Sequence, residues 1–363
     1  MKSFWIELLT GTILVCVQLP LLIKLFHKLS LLDKPDERKT HKKAIPAIGG
    51  LALGITWIEM TLLFGSVRGF WFDHIALSAP LLLLMITGAW DDQRNLSSGF
   101  RFLVQIGCGA FLVINGITFK NLGGLFGLHE LPFWFDAMLT IVAVTGVTNA
   151  FNLIDGIDGL AGGMAMLNLL VFGLIGYLSN DPGLFMISMT WAAMVLAFLF
   201  FNWSPAKVFM GDGGSLVFGF FFIAMGLSFR QQDMVQEWLS PASSLAILSA
   251  MLIVPVTDTL RVFAFRISQG RSPYSADRNH LHHWIIRNRI PHKISTLRIL
   301  TLHTCILPCT IGMVYSGFSL FFILLIQFLI VIAYTKVVHT ITNFNRWYRF
   351  IRRYEMTDTG VTI

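Results

Sequence analysis

Polar residues in this chain come in short clusters, and long apolar runs separate them. A helix that crosses the hydrocarbon core of a bilayer needs about 20 mostly apolar residues. Eleven runs meet that length, at residues 4 to 26, 47 to 67, 72 to 90, 100 to 119, 132 to 150, 159 to 179, 184 to 202, 214 to 230, 242 to 265, 297 to 315 and 317 to 337. The pattern predicts an all-α, polytopic integral membrane protein with about 11 transmembrane helices. The connecting loops leave no room for a separate globular unit, so residues 1 to 363 read as one membrane domain. The first run is long and has no small-residue cleavage site before the basic loop, so it is expected to stay as a helix.

Composition agrees. Of 363 residues, 55% are hydrophobic and 13% charged, against about 25% charged in an ordinary soluble domain. Lys and Arg accumulate on the cytoplasmic side of membrane proteins. With eleven spans, one face collects the loops 27 to 46, 91 to 99, 151 to 158, 203 to 213, 266 to 296 and the tail, and with them every Lys and Arg except Lys2, Arg68, Lys120 and Arg230. The N-terminus is therefore expected outside and the C-terminus inside. On this reading the net charge of +7 reports topology and anionic lipid, not nucleic acid. Cys16, Cys108, Cys305 and Cys309 all fall in apolar runs at spacings that suit no zinc site, and read as small packing residues.

The unusual polar groups gather on the basic face. They are "DKPDERKTHKKAIPAIGG" (Asp33 to Gly50), "WDDQRNL" with Asp91 and Asp92, "NAFNLIDGIDGLAGG" (Asn149 to Gly163), "FNWSPAKVFMGDGGS" (Phe201 to Ser215) and "SPYSADRNHLHH" (Ser272 to His283). Asn149, Asn152, Asp155 and Asp158 recur every third position, which on helical turns would put them on neighbouring parts of one face. Each cluster alone has a plain explanation: a solvated helix end for the paired aspartates, a turn for "GDGGS", a surface run for the histidines. "GDGGS" lacks the lysine and spacing of a Walker loop, and no HExxH motif or thiolate accompanies the histidines to suggest a zinc hydrolase.

Together they mean more. Carboxylates at a membrane are costly and tend to mark ion or substrate sites, and Asp91, Asp92, Asp155, Asp158 and Asp212 are all expected at one interface. Mutual repulsion would raise some of their pKa values unless a divalent cation or basic groups offset it. Magnesium, which is held by one or two carboxylates plus substrate phosphates, suits such a site, with manganese as a substitute. Phosphoryl transfer uses that division of labour among metal, cations and an orienting or proton-accepting carboxylate.

The order "DDxxxL", "NxxNxxDGxDGLAxG", "FxGDxGS" and "HxHH" resembles the polyprenyl-phosphate N-acetylhexosamine-1-phosphate transferases, over nearly the whole chain. The resemblance implies transfer of a sugar-1-phosphate from a UDP-N-acetylhexosamine to undecaprenyl phosphate. UMP would be released and lipid-linked envelope polysaccharide begun, in a multi-pass protein of the bacterial cytoplasmic (inner) membrane. Asp212 matches the family's magnesium ligand and Phe209 the aromatic that stacks on uracil. Asp91 and Asp92 match the pair assigned to the acceptor phosphate, one of them a base or orienting group. Asn152, Asp155 and Asp158 match a polar stripe near nucleotide and metal, and Asn202 the amide preceding the metal loop. His280, His282 and His283 match a motif assigned to diphosphate or sugar, and Lys42 or Lys43 a phosphate-contacting lysine. Membrane lipid is an implied partner and a homodimer is compatible with the pattern.

The related phospho-N-acetylmuramoyl-pentapeptide transferases carry three consecutive histidines and "PTMGG", where this chain has "HLHH" and "PAIGG". Both departures favour a simple N-acetylhexosamine donor, N-acetylglucosamine first, without separating it from its epimer or a 6-deoxy sugar. Two other readings compete: a transporter with a charged cytoplasmic gate, although no internal repeat is visible, and a signalling protein that kept the scaffold and lost catalysis. Asp258 and Arg261, three residues apart in the ninth run, read as a structural pair. The tail "NRWYRFIRRYE" reads as a segment lying on anionic headgroups.

Overall fold

The computed structural model describes residues 2–31, 44–231, 239–273 and 279–358. Among these the only regular elements are helices, apart from one parallel bridge between Ala47 and Phe209. Nine helices are long and apolar enough to cross a membrane. They are α1 (Lys2–Lys28), α4 (Ile75–Arg94), α6 (Phe133–Ile154), α7 (Leu160–Leu178), α8 (Pro182–Asn202), α9 (Asp212–Phe229), α10 (Pro241–Ser268), α12 (His292–Tyr315) and α13 (Leu320–Asp358). Two further segments fall among them: the bent pair α2 (Gly49–Leu63) and α3 (Gly65–Asp73), and the shorter apolar helix α5 (Ser98–Ile114). A seven-residue helix, α11 (Leu281–Arg287), carries the histidine motif.

The run expected to be one straight helix from 47 to 67 is broken. Phe64 leaves the helical conformation (φ −115°, ψ 121°), α3 departs at 107°, and the next crossing begins at Ile75 rather than residue 72. Hydropathy cannot register such a bend, because both arms stay apolar.

Apolarity on all sides explains the centre of the bundle. A helix hydrophobic all round is stable only when covered all round, and α9, with Phe218, Phe220, Phe221 and Phe222 buried, is enclosed by α2, α4, α6 and α7. Trp191 of α8, Phe172 of α7 and Phe151 of α6 pack on these rings with centroids 5.5 to 6.3 Å apart, inside the range of favourable aromatic pairs. By contrast α1, α12 and α13 each leave most of their surface open, as lipid-facing helices do. Three of the four cysteines follow them. Cys16, Cys305 and Cys309 are exposed on the bundle surface and only Cys108 is buried; all four lie within helices, and a small, weakly polar thiol is tolerated on either surface.

This arrangement puts the C-terminal ends of α4, α6 and α8 beside the N-terminal ends of α2, α7 and α9 at one end of the bundle. Lys42 and Lys43 lie outside the described residues.

Candidate active site

The site begins with the orphan N–H groups that every helix N-terminus leaves. At α9 the preceding Gly211 has φ +75°, a conformation that side chains rarely adopt, and a Cβ there would strike Asp92 Oδ2. Asp92 uses that closeness. Its Oδ1 accepts the N–H of Asp212 at 2.9 Å and its Oδ2 the N–H of Gly213 at 3.2 Å. A carboxylate at a helix N-terminus is also favoured by the helix dipole, so Asp92 ties α4 to the start of α9.

Asp91, 6% exposed, faces the other way. Its Oδ1 accepts the N–H of Leu96 at 2.6 Å and its Oδ2 the Arg101 guanidinium at 2.6 Å. The same Arg101 Nη1 donates to Asp212 Oδ2 at 2.9 Å. Asp212 Oδ1 accepts from Asn152 Nδ2 at 2.8 Å, and Asn152 Nδ2 also lies 2.9 Å from Ser215 Oγ. Asp91, Asp92, Asp212 and Asn152 thus share one network, as the sequence led us to expect. Arg101 and Ser215 complete it.

The stripe from Asn149 to Asp158 does not stay helical. Helix α6 ends at Ile154, and Asp155 and Asp158 stand in the loop before α7. Leaving the helix lets the two carboxylates diverge. Asp158 Oδ2 accepts the N–H of Ala206 at 3.2 Å, its Oδ1 lies 3.2 Å from His292 Nδ1, and its carbonyl accepts from Thr296 at 2.7 Å. Burial would raise its pKa, but His292, Ala206 N–H and Ser204 bring it below the usual carboxylate range. Among the described residues Asp155 has no such cation. Burial, then the charges of Asp212 and Asp158, push it up to about 7 against a single opposing N–H from Gly211.

Phe209 and Asn202 serve the loop that presents Asp212. The backbone of Phe209 pairs with Pro46 and Gly49 (3.0 and 2.9 Å), and Met210 with Gly50 (2.8 Å), clipping the "PAIGG" segment to the "FMGD" segment. Asn202, 3% exposed, accepts the Gly159 N–H at 3.0 Å and donates to the Val208 carbonyl at 2.9 Å. Its amide braces two loops.

The histidines arrive at the start of α11, with His280 as the residue before it and His282 and His283 in its first turn. His280 and His282 are buried and His283 is half-buried. His280 and His282 stack with centroids 5.9 Å apart, and His282 and His283 lie 4.2 Å apart. Gly156 must be glycine here, because a methyl group would collide with His282 Nε2. Burial first, then the charges of His283 and His280, hold the His282 pKa well below its ordinary value, so its ring is neutral.

Among the described residues no three His, Cys, Asp or Glu side chains form a complete metal-binding set. The donor chemistry nonetheless fits a cation finished by substrate, since Asp155 and Asp212 repel each other and magnesium takes few protein ligands.

Arg101 carries a sequence signal of its own: it is a lone cation in the first turn of apolar α5, where the helix dipole disfavours positive charge. His292 and Thr296 carried none.

Residues 74–230 match the family described as Glycosyl transferase family 4. The chain is 31% identical over 339 residues to an undecaprenyl-phosphate alpha-N-acetylglucosaminyl 1-phosphate transferase of Escherichia coli (strain K12), covering 91% of this chain and 89% of that protein. It is 29% identical over 299 residues to a probable undecaprenyl-phosphate N-acetylglucosaminyl 1-phosphate transferase of Bacillus subtilis (strain 168), with coverage of 82% and 80%. A Yersinia pestis protein with the same name as the Escherichia coli one is 29% identical over 266 residues, with coverage of 72% and 70%.

Proposed function

The chain belongs to the polyprenyl-phosphate N-acetylhexosamine-1-phosphate transferases, and from that premise we propose that it moves N-acetylglucosamine-1-phosphate from a UDP-sugar to undecaprenyl phosphate. UMP leaves, and the lipid-linked sugar begins an envelope polysaccharide. The observation that supports this reading is the buried Asp155–Asp212 carboxylate pair beside Arg101, whose mutual repulsion suits a divalent cation and whose guanidinium offers a grip for phosphate.

In this reading an oxygen of the acceptor phosphate attacks the sugar-bearing phosphorus of the donor, and the bond from that phosphorus to the bridging oxygen of UMP breaks. Magnesium, held by Asp212 and Asp155, would neutralise charge on the diphosphate. Arg101 turns one donor from the carboxylates to a phosphate oxygen. Asp91 holds Arg101 in place, and Asp92 holds the N-terminal turn of α9 beneath Asp212. These duties make Asp91 and Asp92 orienting groups rather than proton acceptors. His282 and His283 stand across the Asp155–Asp158 loop, where a sugar or diphosphate oxygen would lie, and Phe209, three residues before Asp212, would meet the uracil.

The reading includes placement. Counting the nine long helices, the α2–α3 pair and α5 each as a crossing would give eleven, with the N-terminus outside and the site facing the cytoplasm of a bacterial inner membrane. At 17 residues α5 is about 26 Å long, short of the ~30 Å hydrocarbon core; local thinning of the bilayer accommodates that mismatch. Purified protein in detergent, given magnesium, undecaprenyl phosphate and a panel of radiolabelled UDP-sugars, should release UMP with UDP-N-acetylglucosamine as the best donor. Release with no UDP-N-acetylhexosamine would end the proposal.

A further inference from the structure

Asp258 sits on α10, 2% exposed, more than twenty residues before the histidine motif. Its pairing with Arg261 is present, at 2.7 Å, but the carboxylate does more than that. Asp258 Oδ2 lies 2.9 Å from His280 Nδ1, and both its oxygens accept the N–H of Leu281, the first residue of α11, at 3.1 and 3.2 Å. Arg261 extends the clamp. It donates to the Asn279 carbonyl at 2.5 Å and lies 4.2 Å over the Trp284 ring. The far end of α11 is held by α13: His339 stacks on Trp284 at 4.4 Å, and Asn288 donates to Thr342 at 2.8 Å and accepts from Asn345 at 3.0 Å.

An ionised carboxylate only accepts hydrogen bonds. Facing Asp258, His280 must therefore carry its proton on Nδ1, which fixes ring and tautomer together. Directly along the helix, His282 is pressed against Gly156, and neither of its ring nitrogens has a hydrogen-bond partner among the described residues. Buried polar groups are nearly always paired, so these nitrogens mark the place for a ligand oxygen or an ordered water. The position of His282 and His283 relative to Asp155 is set by what holds α11, and what holds its start is Asp258.

We propose that Asp258 is a positioning residue for sugar-phosphate transfer: by binding His280, Leu281 and Arg261 it sets where His282 and His283 stand against the Asp155–Asp158 loop. This rests on the transferase reading above. Asp258→Asn keeps the shape but turns an amide donor toward two donors.

The test uses the full-length enzyme in detergent, with magnesium, undecaprenyl phosphate and UDP-N-acetylglucosamine. For Asp258→Asn, kcat per folded molecule should fall about 10- to 100-fold, the usual effect of losing a group that orients a site ligand, with KM for the UDP-sugar little changed. Asp258→Glu should restore part of kcat. Thr257→Val should behave as wild type, because the Thr257 hydroxyl is buried without a partner among the described residues. A second readout needs no turnover: diethyl pyrocarbonate, read by peptide mass spectrometry, should spare His280 and His282 in the wild type and modify them in Asp258→Asn. Wild-type kcat in Asp258→Asn, a loss explained wholly by unfolded protein, or unchanged protection of both histidines would each overturn the inference. A wild type that releases no UMP would instead end the transferase reading, and the protection experiment would still decide the clamp.

Discussion

Arg101 donates from one guanidinium nitrogen to both Asp91 Oδ2 and Asp212 Oδ2, at 2.6 and 2.9 Å. One side chain of α5 thereby joins the end of α4 to the start of α9. With a third of its side chain exposed, it can exchange one of these bonds for a phosphate oxygen.

Arg101→Gln should therefore cost catalysis more than folding. A hydrogen bond to a charged group is worth about 1.5–3 kcal/mol, which corresponds to a roughly 10- to 150-fold loss in kcat/KM. Arg101→Lys should recover part of it, since a lysine keeps the charge but not the fork. Steady-state UMP release with varied UDP-sugar measures both, and equal activity in Arg101→Gln would remove Arg101 from the site.

Asp212→Asn should lose turnover while keeping the far-ultraviolet circular dichroism of the wild type, because Asn152 and Ser215 still brace the turn. Chelation of the wild type should abolish UMP release, and added magnesium should restore it. Wild-type turnover in the variant would contradict the metal assignment.

Asp155 gives a pH dependence with a definite sign. Its folded pKa of about 7 lies above the ordinary carboxylate value, so the folded chain holds its proton more tightly than the unfolded one. The resulting stability is fully present below about pH 4 and is lost as pH rises through about 7. Without divalent cations the melting temperature should therefore fall across this window. Magnesium competes with the proton, so its apparent affinity should rise with pH through the same window and level off above it. Asp155→Asn should flatten both trends, and a magnesium affinity independent of pH between 6 and 8 would count against the assignment.

Gly156 and His282 should prove coupled. Gly156→Ala places a methyl on the imidazole, and overpacking of this kind costs about 1–3 kcal/mol. Adding His282→Ala should remove most of that penalty. A double-mutant cycle on thermal stability reads the coupling, and additive effects would show that the two do not touch.

Parts of the fold and of the site were legible in order along the chain. Length and apolarity mark candidate spans because a bilayer imposes them on each segment separately; of the eleven apolar runs, nine form helices long enough to cross, one forms the bent α2–α3 pair and one the shorter α5. The clustering of Asp91, Asp92, Asn152 and Asp212 was legible for a similar reason: ionisable groups are excluded from hydrocarbon, so those at one end of consecutive spans have few places to go. The conformation of the Asn149–Asp158 stripe was not. Its three-residue spacing suits a helix, but the glycines after Asp155 let the chain turn away, and Asp158 is drawn to His292 from a helix 134 residues on.

The sequence by itself determined a polytopic helical membrane protein, the family to which it belongs and the residue types of its site. Those follow from composition and local order, which each segment carries alone. Only the tertiary structure decided which partner each carboxylate meets. Asp92 is taken by the helix end at Asp212, Asp91 by Arg101 and Asp158 by His292, while Asp155 is left against Asp212. The structure also turned Asp258 from half of an in-helix ion pair into the anchor of the histidine helix. A carboxylate's role depends on which donors meet it across the bundle, and no spacing along one helix records that.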